Sequence, residues 1–216
     1  MFDRVHELAG KTLLTAVFLG MLYLNVGGLA NMLRADPRPA FWMLELISQT
    51  LTIVFVGLVV FLTISRMPPR STANGLAPRI AAILGTFFLV ALAFLPPGEV
   101  PLFMRIIATG LILVGTIGSI YCISVLGRSF SIVAQARKLV TNGPYSIVRH
   151  PLYLTEGITT IGIIIMHWSA MAVALGLVQL ALQFWRMGFE EQVLREAFPE
   201  YEEYAARVSM IVPSIR

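Results

Sequence analysis

The sequence predicts an all-α integral membrane protein with about five transmembrane segments, the last of which is a helical hairpin. Of its 216 residues, 57% are hydrophobic and only 13% are charged. A soluble domain carries a charged fraction of about 25%. The mean hydropathy is +0.79, and several apolar runs exceed the ~18 residues that mark a membrane-spanning helix. These observations exclude an ordinary soluble domain.

The apolar runs define the order of the spanning segments. We predict spans at 12–33, 43–65, 80–96, 102–126 and 152–187. The first run is too long for the apolar core of a signal peptide, so we expect it to stay in the protein. The last run is too long for one crossing and is interrupted at His167-Trp168-Ser169, which favours a hairpin. Its first arm, 152–166, would be about 22 Å long, against a hydrocarbon thickness of ~30 Å.

The distribution of lysine and arginine predicts the orientation. Most of these residues fall on the side of the N-terminus if the spans alternate as predicted, and such residues concentrate on the cytoplasmic side of membranes. We therefore expect the N-terminus, the polar segment 127–151 and the C-terminal helix to be cytoplasmic. The sequence shows no endoplasmic-reticulum retention signal, which favours a prokaryotic cytoplasmic membrane.

Composition also limits the cofactors and partners. Cys122 is the only cysteine, which excludes an intrachain disulfide, an iron–sulfur cluster and a cysteine-rich zinc site. We expect no metal. The net charge of +4 suits contact with the anionic headgroups of the bilayer, and no basic stripe interleaved with aromatics indicates nucleic acid. The oligomeric state stays open.

Some polar and small residues within the spans predict helix packing. Asn25 and Gln49 are placed to hydrogen-bond between two helices. Gly110, Gly115 and Gly118 would allow another helix to approach the fourth span closely. These features predict structure and do not indicate a function.

The stretch "NGPYSIVRHPLY", residues 142–153, is the first candidate site. Asn-Gly-Pro is a strong turn signal. Pro151 favours an extended His150 before it and suits the first position of the next helix. Backbone N–H groups at that helix start, together with Tyr153, could hold a carboxylate. Two interpretations remain open: a ligand site, or an interfacial anchor of tyrosine and arginine.

The second candidate lies in residues 186–208, where we predict a polar, charged helix from Phe189 onward. Arg186 and Glu190 are four residues apart and therefore share a helix face. An apolar stripe follows at Leu194, Phe198, Tyr201, Tyr204 and Val208. Such an amphipathic helix could fold back over a cytoplasmic pocket, or it could be an ordinary surface helix.

Together the two clusters resemble the isoprenylcysteine carboxyl methyltransferases and their phospholipid-methyltransferase relatives. The shared pattern is Leu-Val-x-x-Gly-x-Tyr, then Arg-His-Pro-x-Tyr, then Glu-Glu-x-x-Leu…Phe…Tyr-x-x-Tyr-x-x-x-Val. It covers about residues 127–208. The resemblance implies two regions: N-terminal transmembrane helices over 1–126, and a catalytic, cofactor-binding region over 127–216.

The resemblance implies an enzyme that uses S-adenosylmethionine without a Rossmann-like domain and acts on a membrane lipid or lipidated substrate. The residues that it places at the cofactor are Gln135, Arg137, Lys138, Leu139, Val140, Tyr145, Arg149, His150, Pro151, Leu152, Tyr153 and Glu190. It places Arg186 at the substrate. A different alignment gives the acidic role of Glu190 to Glu191. Catalytic roles are thus expected of Arg186, Glu190 and Glu191.

The methyl acceptor stays open at this stage. A carboxylate acceptor, as in isoprenylcysteine O-methylation, would need a cation such as Arg186. An amine acceptor, as in phospholipid N-methylation, would need a base such as Glu190, Glu191 or His150. The family often has a glycine soon after the tyrosine of Arg-His-Pro-x-Tyr; here Glu156 follows Tyr153 and Gly157 comes later. Glu156 could point into the site or reach the headgroups. The competing interpretations are an NADPH-dependent membrane reductase of steroid-reductase-like architecture and a non-catalytic membrane protein.

Overall fold

The computed structural model describes residues 2–37, 41–90 and 98–213, with side chains from residue 8 onward. The chain forms two compact units, Met1–Arg66 and Met67–Arg216. The second unit includes the helix that precedes the polar segment, because this helix packs along the first arm of the hairpin. The predicted division at residue 126 separates transmembrane helices from a catalytic region and stays a prediction.

The first unit is a pair of antiparallel helices, α1 (Phe2–Arg34) and α2 (Trp42–Ser65). Gln49 Nε2 donates to the backbone oxygen of Asn25 at 2.8 Å and to its Oδ1 at 3.2 Å. Near one end Trp42 Nε1 donates to the carbonyl of Met32, and near the other Lys11 Nζ donates to that of Ile64. The predicted contact between Asn25 and Gln49 is confirmed.

The second unit contains five α-helices and two short strands among its described residues. They are β1 (Ser71–Thr72), α3 (Ala77–Phe87), α4 (Leu102–Leu126), β2 (Gln135–Ala136), α5 (Pro151–Met166), α6 (Ala170–Ala197) and α7 (Tyr201–Arg207). The two strands pair antiparallel, with Ser71 opposite Ala136 and Thr72 opposite Gln135. This pairing joins the polar segment after α4 to the chain that follows Arg66.

The predicted all-α membrane architecture is confirmed. Four helical stretches are long and apolar enough to cross a membrane: Leu8–Arg34, Trp42–Ser65, Leu102–Ser129 and Ala170–Ala197. The predicted hairpin is also present, with a first arm of 16 residues and a second of 28. The predicted span 80–96 corresponds to α3, which has 11 residues; its last part, 91–96, lies outside the described residues.

The prediction of one continuous helix from Phe189 is wrong. Helix α6 ends at Ala197, and α7 begins at Tyr201. Phe198 between them is extended, with φ −134° and ψ 105°, because a residue that precedes proline, here Pro199, is disfavoured in the α region.

The predicted apolar stripe nevertheless folds back over the polar segment. Val193, Phe198, Tyr201 and Tyr204 form a buried cluster with three alanines: Ala73, Ala134 and Ala136. Leu194 and Val208 pack against this cluster. The bend after α6 places residues on both sides of Pro199 against the paired strands.

Close approach of α4 and α5 depends on small residues in both helices. A Cβ atom at Gly115 would lie 2.2 Å from Thr159 Oγ1 and 2.7 Å from the backbone oxygen of Thr155. Contacts shorter than 3.0 Å would also arise at Gly118 and Gly162. The predicted packing role is thus confirmed for Gly115 and Gly118. It is wrong for Gly110, where a Cβ would meet no atom within 4 Å.

We expect Gly115→Ala to destabilise the protein and Gly110→Ala to leave it unchanged or slightly more stable. Overpacking against backbone atoms typically lowers the free energy of unfolding by about 1–3 kcal/mol. In open space, alanine instead improves helix propensity by up to ~1 kcal/mol. Thermal unfolding of the detergent-purified variants compares the two, and equal midpoints would contradict this account of the α4–α5 contact.

Candidate functional site

The start of α5 is held by the C-terminal segment of the chain. The Asn-Gly-Pro turn is present, with Gly143 at φ +60°, a backbone conformation that favours glycine. Further along, the N–H groups of Arg149 and His150 donate to the carbonyls of Ser209 and Met210 at 2.8 and 3.0 Å. Pro151 then occupies the first turn of α5, as predicted. Backbone hydrogen bonds therefore fix the position of the Arg-His-Pro motif and so the starting points of its side chains.

Glu191 connects three elements of this region. Its Oε1 accepts from Arg149 Nε at 2.8 Å, from His150 Nε2 at 2.9 Å and from Tyr201 Oη at 2.7 Å. Its Oε2 faces Arg195 on the next turn of α6 at 3.2 Å. The Glu191 side chain is only 7% exposed, so its charge is compensated by groups of the protein itself. This arrangement gives Glu191 a bracing position.

Helix α7 is attached to the Asn-Gly-Pro turn by Tyr204 and to the Arg-His-Pro motif by Arg149. Tyr204 Oη donates to the backbone carbonyl of Tyr145 at 2.5 Å. Burial raises the pKa of Tyr204 to about 12, so its hydroxyl stays protonated and can donate. Arg149 Nη1 donates to the carbonyls of Ala205 and Val208 near the end of α7. Helix α7 is thereby attached to both halves of the motif.

Glu190, next to Glu191, faces a different set of groups. It accepts a hydrogen bond from the hydroxyl of Tyr153 on the first turn of α5. The guanidinium of Arg186 lies over the Tyr153 ring, 5.2 Å from its centroid, and interacts electrostatically with Glu190. Among the described residues, the Tyr153 hydroxyl is the only hydrogen-bond donor to the Glu190 carboxylate. Glu190 thus retains acceptor capacity for a ligand.

Arg186 also contacts the elements around the hairpin. Its Nη2 donates to the carbonyl of Ile132 in the polar segment at 3.2 Å. Its stem lies against α3, where a Cβ at Gly85 would fall 2.4 Å from Arg186 Cδ. Arg186 Nε is buried and has no hydrogen-bond partner among the described residues. The side chain is therefore confined between α3, α5 and the polar segment, with its buried Nε–H unused.

Further buried polar side chains lie between the two arms of the hairpin, closer to its turn than Glu190 and Arg186. Gln183 Nε2 on α6 donates to Glu156 Oε2 on α5 at 3.0 Å. One turn further, Gln179 Nε2 donates to the carbonyl of Gly85 at 2.8 Å. Both glutamines are almost fully buried, with 3% and 2% exposure. Of the two orientations left open for Glu156, the structure has the one that faces the site.

Gln179 and Gln183 are not among the site residues predicted from the sequence. A signal for them exists: two glutamines four residues apart lie on one face of an apolar helix, three residues before Arg186. Polar groups in a spanning segment generally face protein rather than lipid. Their partners on α3 and α5 could not be assigned without the tertiary structure.

The predicted residues of the polar segment lie in different environments. Gln135 is engaged by Ser131, Thr72 and Arg137. Arg137 is buried and bonds Gln135, Lys138 is exposed, and Val140 is half-buried. Leu139 packs on the cluster of α7 aromatics. The structure therefore brings Gln135 and Arg137 together, and Lys138 stands apart from them at the surface.

The Tyr145 hydroxyl is a notable exception to this pattern of satisfied groups. It is buried, and no described residue hydrogen-bonds it. Burial raises the pKa of Tyr145 above its ordinary value, so the hydroxyl remains a potential donor at neutral pH. Buried polar groups are nearly always paired, which makes this hydroxyl a candidate contact for a ligand.

Within the described part of the chain, no group of three His, Cys, Asp or Glu could hold a metal ion.

Residues 103–201 match the model of the phospholipid methyltransferase family. The predicted family resemblance is confirmed. The matched region begins in α4 and ends at Tyr201, so it includes the polar segment, the hairpin and the Glu-Glu pair.

Several curated relatives are similar to this chain over about half of its length. Protein-S-isoprenylcysteine O-methyltransferase B of Arabidopsis thaliana is 35% identical over 112 residues, which is 49% of this chain and 57% of the relative. A probable protein-S-isoprenylcysteine O-methyltransferase of Oryza sativa subsp. indica is 32% identical, over 52% of this chain and 63% of the relative.

A bacterial relative carries a different name. The nickel-cobalt-cadmium resistance protein NccN of Alcaligenes xylosoxydans xylosoxydans is 31% identical over 102 residues, 46% of this chain and 45% of the relative. The chain thus spans about half the length of the curated relatives it matches.

We expect Glu191→Ala to destabilise the second unit strongly, because Arg149 would be left partly buried without its carboxylate. Breaking such a pair typically lowers the free energy of unfolding by about 3–5 kcal/mol. Glu196→Ala, on an exposed part of α6, is the matched control, with an expected effect within about 0.5 kcal/mol.

Thermal unfolding measures both variants, and amide hydrogen exchange of the Glu191 variant should show lost protection in α7. A stable Glu191→Ala protein with a protected α7 would contradict the bracing role.

Proposed function

We propose that this protein is an S-adenosylmethionine-dependent membrane methyltransferase that acts on a lipid or lipidated acceptor. One observation carries the proposal: the Arg-His-Pro-x-Tyr and Glu-Glu motifs, about forty residues apart, meet side chain to side chain. Tyr153 bonds Glu190, and Arg149 with His150 bonds Glu191. Both motifs lie in the region that matches the phospholipid methyltransferase family.

The residues present fit S-adenosylmethionine. When bound, this cofactor supplies an electrophilic methyl group on a positively charged sulfonium. Glu190 offers a carboxylate with unused acceptor capacity, which would stabilise that positive charge. The buried Tyr145 hydroxyl offers an unpaired donor. The backbone of the polar segment and the start of α5, from Gln135 to Tyr153, would form the rest of the cofactor site.

Methyl transfer by in-line displacement asks the protein mainly for positioning and exclusion of water. Helix α7 and the bent end of α6 cover the polar segment with buried aromatic side chains, which excludes water from that side. Glu191 fixes the start of α5 relative to α6 and so holds Tyr153 beside Glu190. Arg186, confined against α3 with an unused Nε–H group, is the residue we place at the acceptor side of the site, where it interacts with the carboxylates of Glu190 and Glu156.

The lengths of the hairpin arms support lateral access from the bilayer. Helix α5 has 16 residues, about 24 Å at 1.5 Å per residue. It therefore falls about 6 Å short of a hydrocarbon core of ~30 Å. With the hairpin turn at one membrane surface, the motif at the other end of α5 lies slightly below the opposite surface. We assign that surface to the cytoplasmic side of a prokaryotic membrane, where the cofactor would arrive from water and the acceptor from lipid.

The test is calorimetric titration of S-adenosylmethionine and S-adenosylhomocysteine into the detergent-purified protein, with NADPH in parallel. We expect both adenosyl compounds to bind and NADPH not to bind. Glu190→Gln keeps the size of the side chain and removes its charge. It should weaken S-adenosylmethionine by at least about tenfold, and S-adenosylhomocysteine, which has no sulfonium charge, by less.

Glu196→Gln, an exposed charge on the same helix, should leave both affinities unchanged. A response to NADPH without adenosyl binding would overturn the proposal in favour of a reductase. Undiminished binding to the Glu190→Gln protein, with its melting temperature retained, would remove Glu190 from the cofactor site.

A further inference from the structure

We propose that Glu156 binds the headgroup of the acceptor and selects an amphiphile with an ammonium group over one with a carboxylate. The reaction that follows rests on the proposed function, whereas the binding preference can be measured without it. The proposal adds a residue to the site and chooses between the two acceptor chemistries that the family resemblance leaves open.

The position of Glu156 places it in the acceptor half of the site. It follows Tyr153 by three residues on α5 and therefore lies on the same helix face, about 4.5 Å deeper. Gln183 holds its Oε2 at 3.0 Å, and Gln183 itself is 3% exposed. Glu156 also interacts electrostatically with Arg186. The carboxylate is thus held beside the Tyr153–Glu190–Arg186 group, on the membrane side of it.

The charges around Arg186 disfavour a second anion. Among the described residues, the carboxylates that interact with Arg186 are those of Glu156 and Glu190. One positive charge therefore already faces two negative ones. A carboxylate acceptor would gain a hydrogen bond from the unused Nε–H of Arg186, but it would also lie close to two like charges in a medium of low dielectric constant. In the complex with S-adenosylhomocysteine, which carries no sulfonium charge, an ammonium headgroup would instead bring the cluster to neutrality.

Unused hydrogen-bond acceptors favour the same headgroup. Gln183 donates to Oε2 of Glu156, and no described residue hydrogen-bonds Oε1. One turn deeper, Gln179 must turn its amide nitrogen towards the Gly85 carbonyl, because a carbonyl only accepts. This leaves Gln179 Oε1, which is buried and has no hydrogen-bond partner among the described residues. An ammonium carries donors and no acceptor, so it complements both oxygens.

The chemistry of transfer follows from this placement. The acceptor binds as an ammonium, R–NH3+, and the Glu156 carboxylate takes one proton from it. The freed lone pair on nitrogen then forms the N–C bond to the methyl group of S-adenosylmethionine while the electrons of the C–S bond remain on sulfur. The products are R–NH2+–CH3, S-adenosylhomocysteine and a protonated Glu156, which returns its proton to water.

The experiment compares octylamine and octanoate, two water-soluble amphiphiles of equal carbon number, by calorimetric titration into the full-length protein in detergent near neutral pH. The titrations are made with and without S-adenosylhomocysteine. We expect octylamine to bind the wild-type protein at least about tenfold more tightly than octanoate. Equal binding, or tighter binding of octanoate, would overturn the proposal.

Glu156→Gln should remove most of this difference by weakening octylamine at least about tenfold, with octanoate unchanged or tighter. Glu196→Gln, which alters an exposed charge, should change neither. If both amphiphiles weaken equally in the Glu156→Gln protein, Glu156 has no role in selection. The wild-type comparison stands even if that variant does not fold.

Failure of the proposed function gives a separate result. If S-adenosylhomocysteine does not bind while octylamine is still preferred through Glu156, the headgroup site exists without the methyltransferase. If S-adenosylhomocysteine binds and the preference is absent, the methyltransferase stands and this inference fails. Labelled methyl transfer from S-adenosylmethionine to octylamine, and its loss in Glu156→Gln, then tests the proton-accepting step.

Discussion

The second unit depends above all on one buried carboxylate, that of Glu191. It accepts hydrogen bonds from Arg149, His150 and Tyr201, which belong to the start of α5 and to α7. A carboxylate in such a place costs several kcal/mol of desolvation unless its partners compensate it. The requirement is therefore mutual: the helices must keep one arrangement to satisfy the charge, and the charge specifies that arrangement. The Arg-His-Pro sequence and the second glutamate are linked by this constraint.

With that frame fixed, the neighbouring glutamate becomes available for chemistry. Adjacent residues on a helix point about 100° apart, so Glu190 and Glu191 cannot serve the same groups. Glu191 faces α7 and the motif's cations, and Glu190 faces Tyr153 and Arg186. This separation explains why two acidic residues stand side by side. We infer that one carboxylate builds the site and the other meets the ligand.

The hairpin carries polar side chains deeper in the membrane than the Arg-His-Pro motif. One and two helical turns deeper lie three more polar side chains: Glu156, Gln183 and Gln179. At this depth an unsatisfied polar group costs the most free energy. Close packing of α4 on α5 through Gly115 and Gly162 supports the opposite side of this arm. The proposed acceptor site thus uses these three polar side chains. Helix packing alone would not offset the free energy of burying them in a membrane.

Sequence alone determined the class of the protein, its long apolar helices, the hairpin and the two motifs, because hydropathy, proline and glycine act locally along the chain. The spacing of the motif residues also indicated the resemblance to the phospholipid methyltransferases, which the match over residues 103–201 confirms. The tertiary structure decided which glutamate faces which partners, where Glu156 points, and that Gly110 has no packing neighbour. These outcomes depend on which helices approach each other and in what register, and that is set by contacts between residues far apart in the chain.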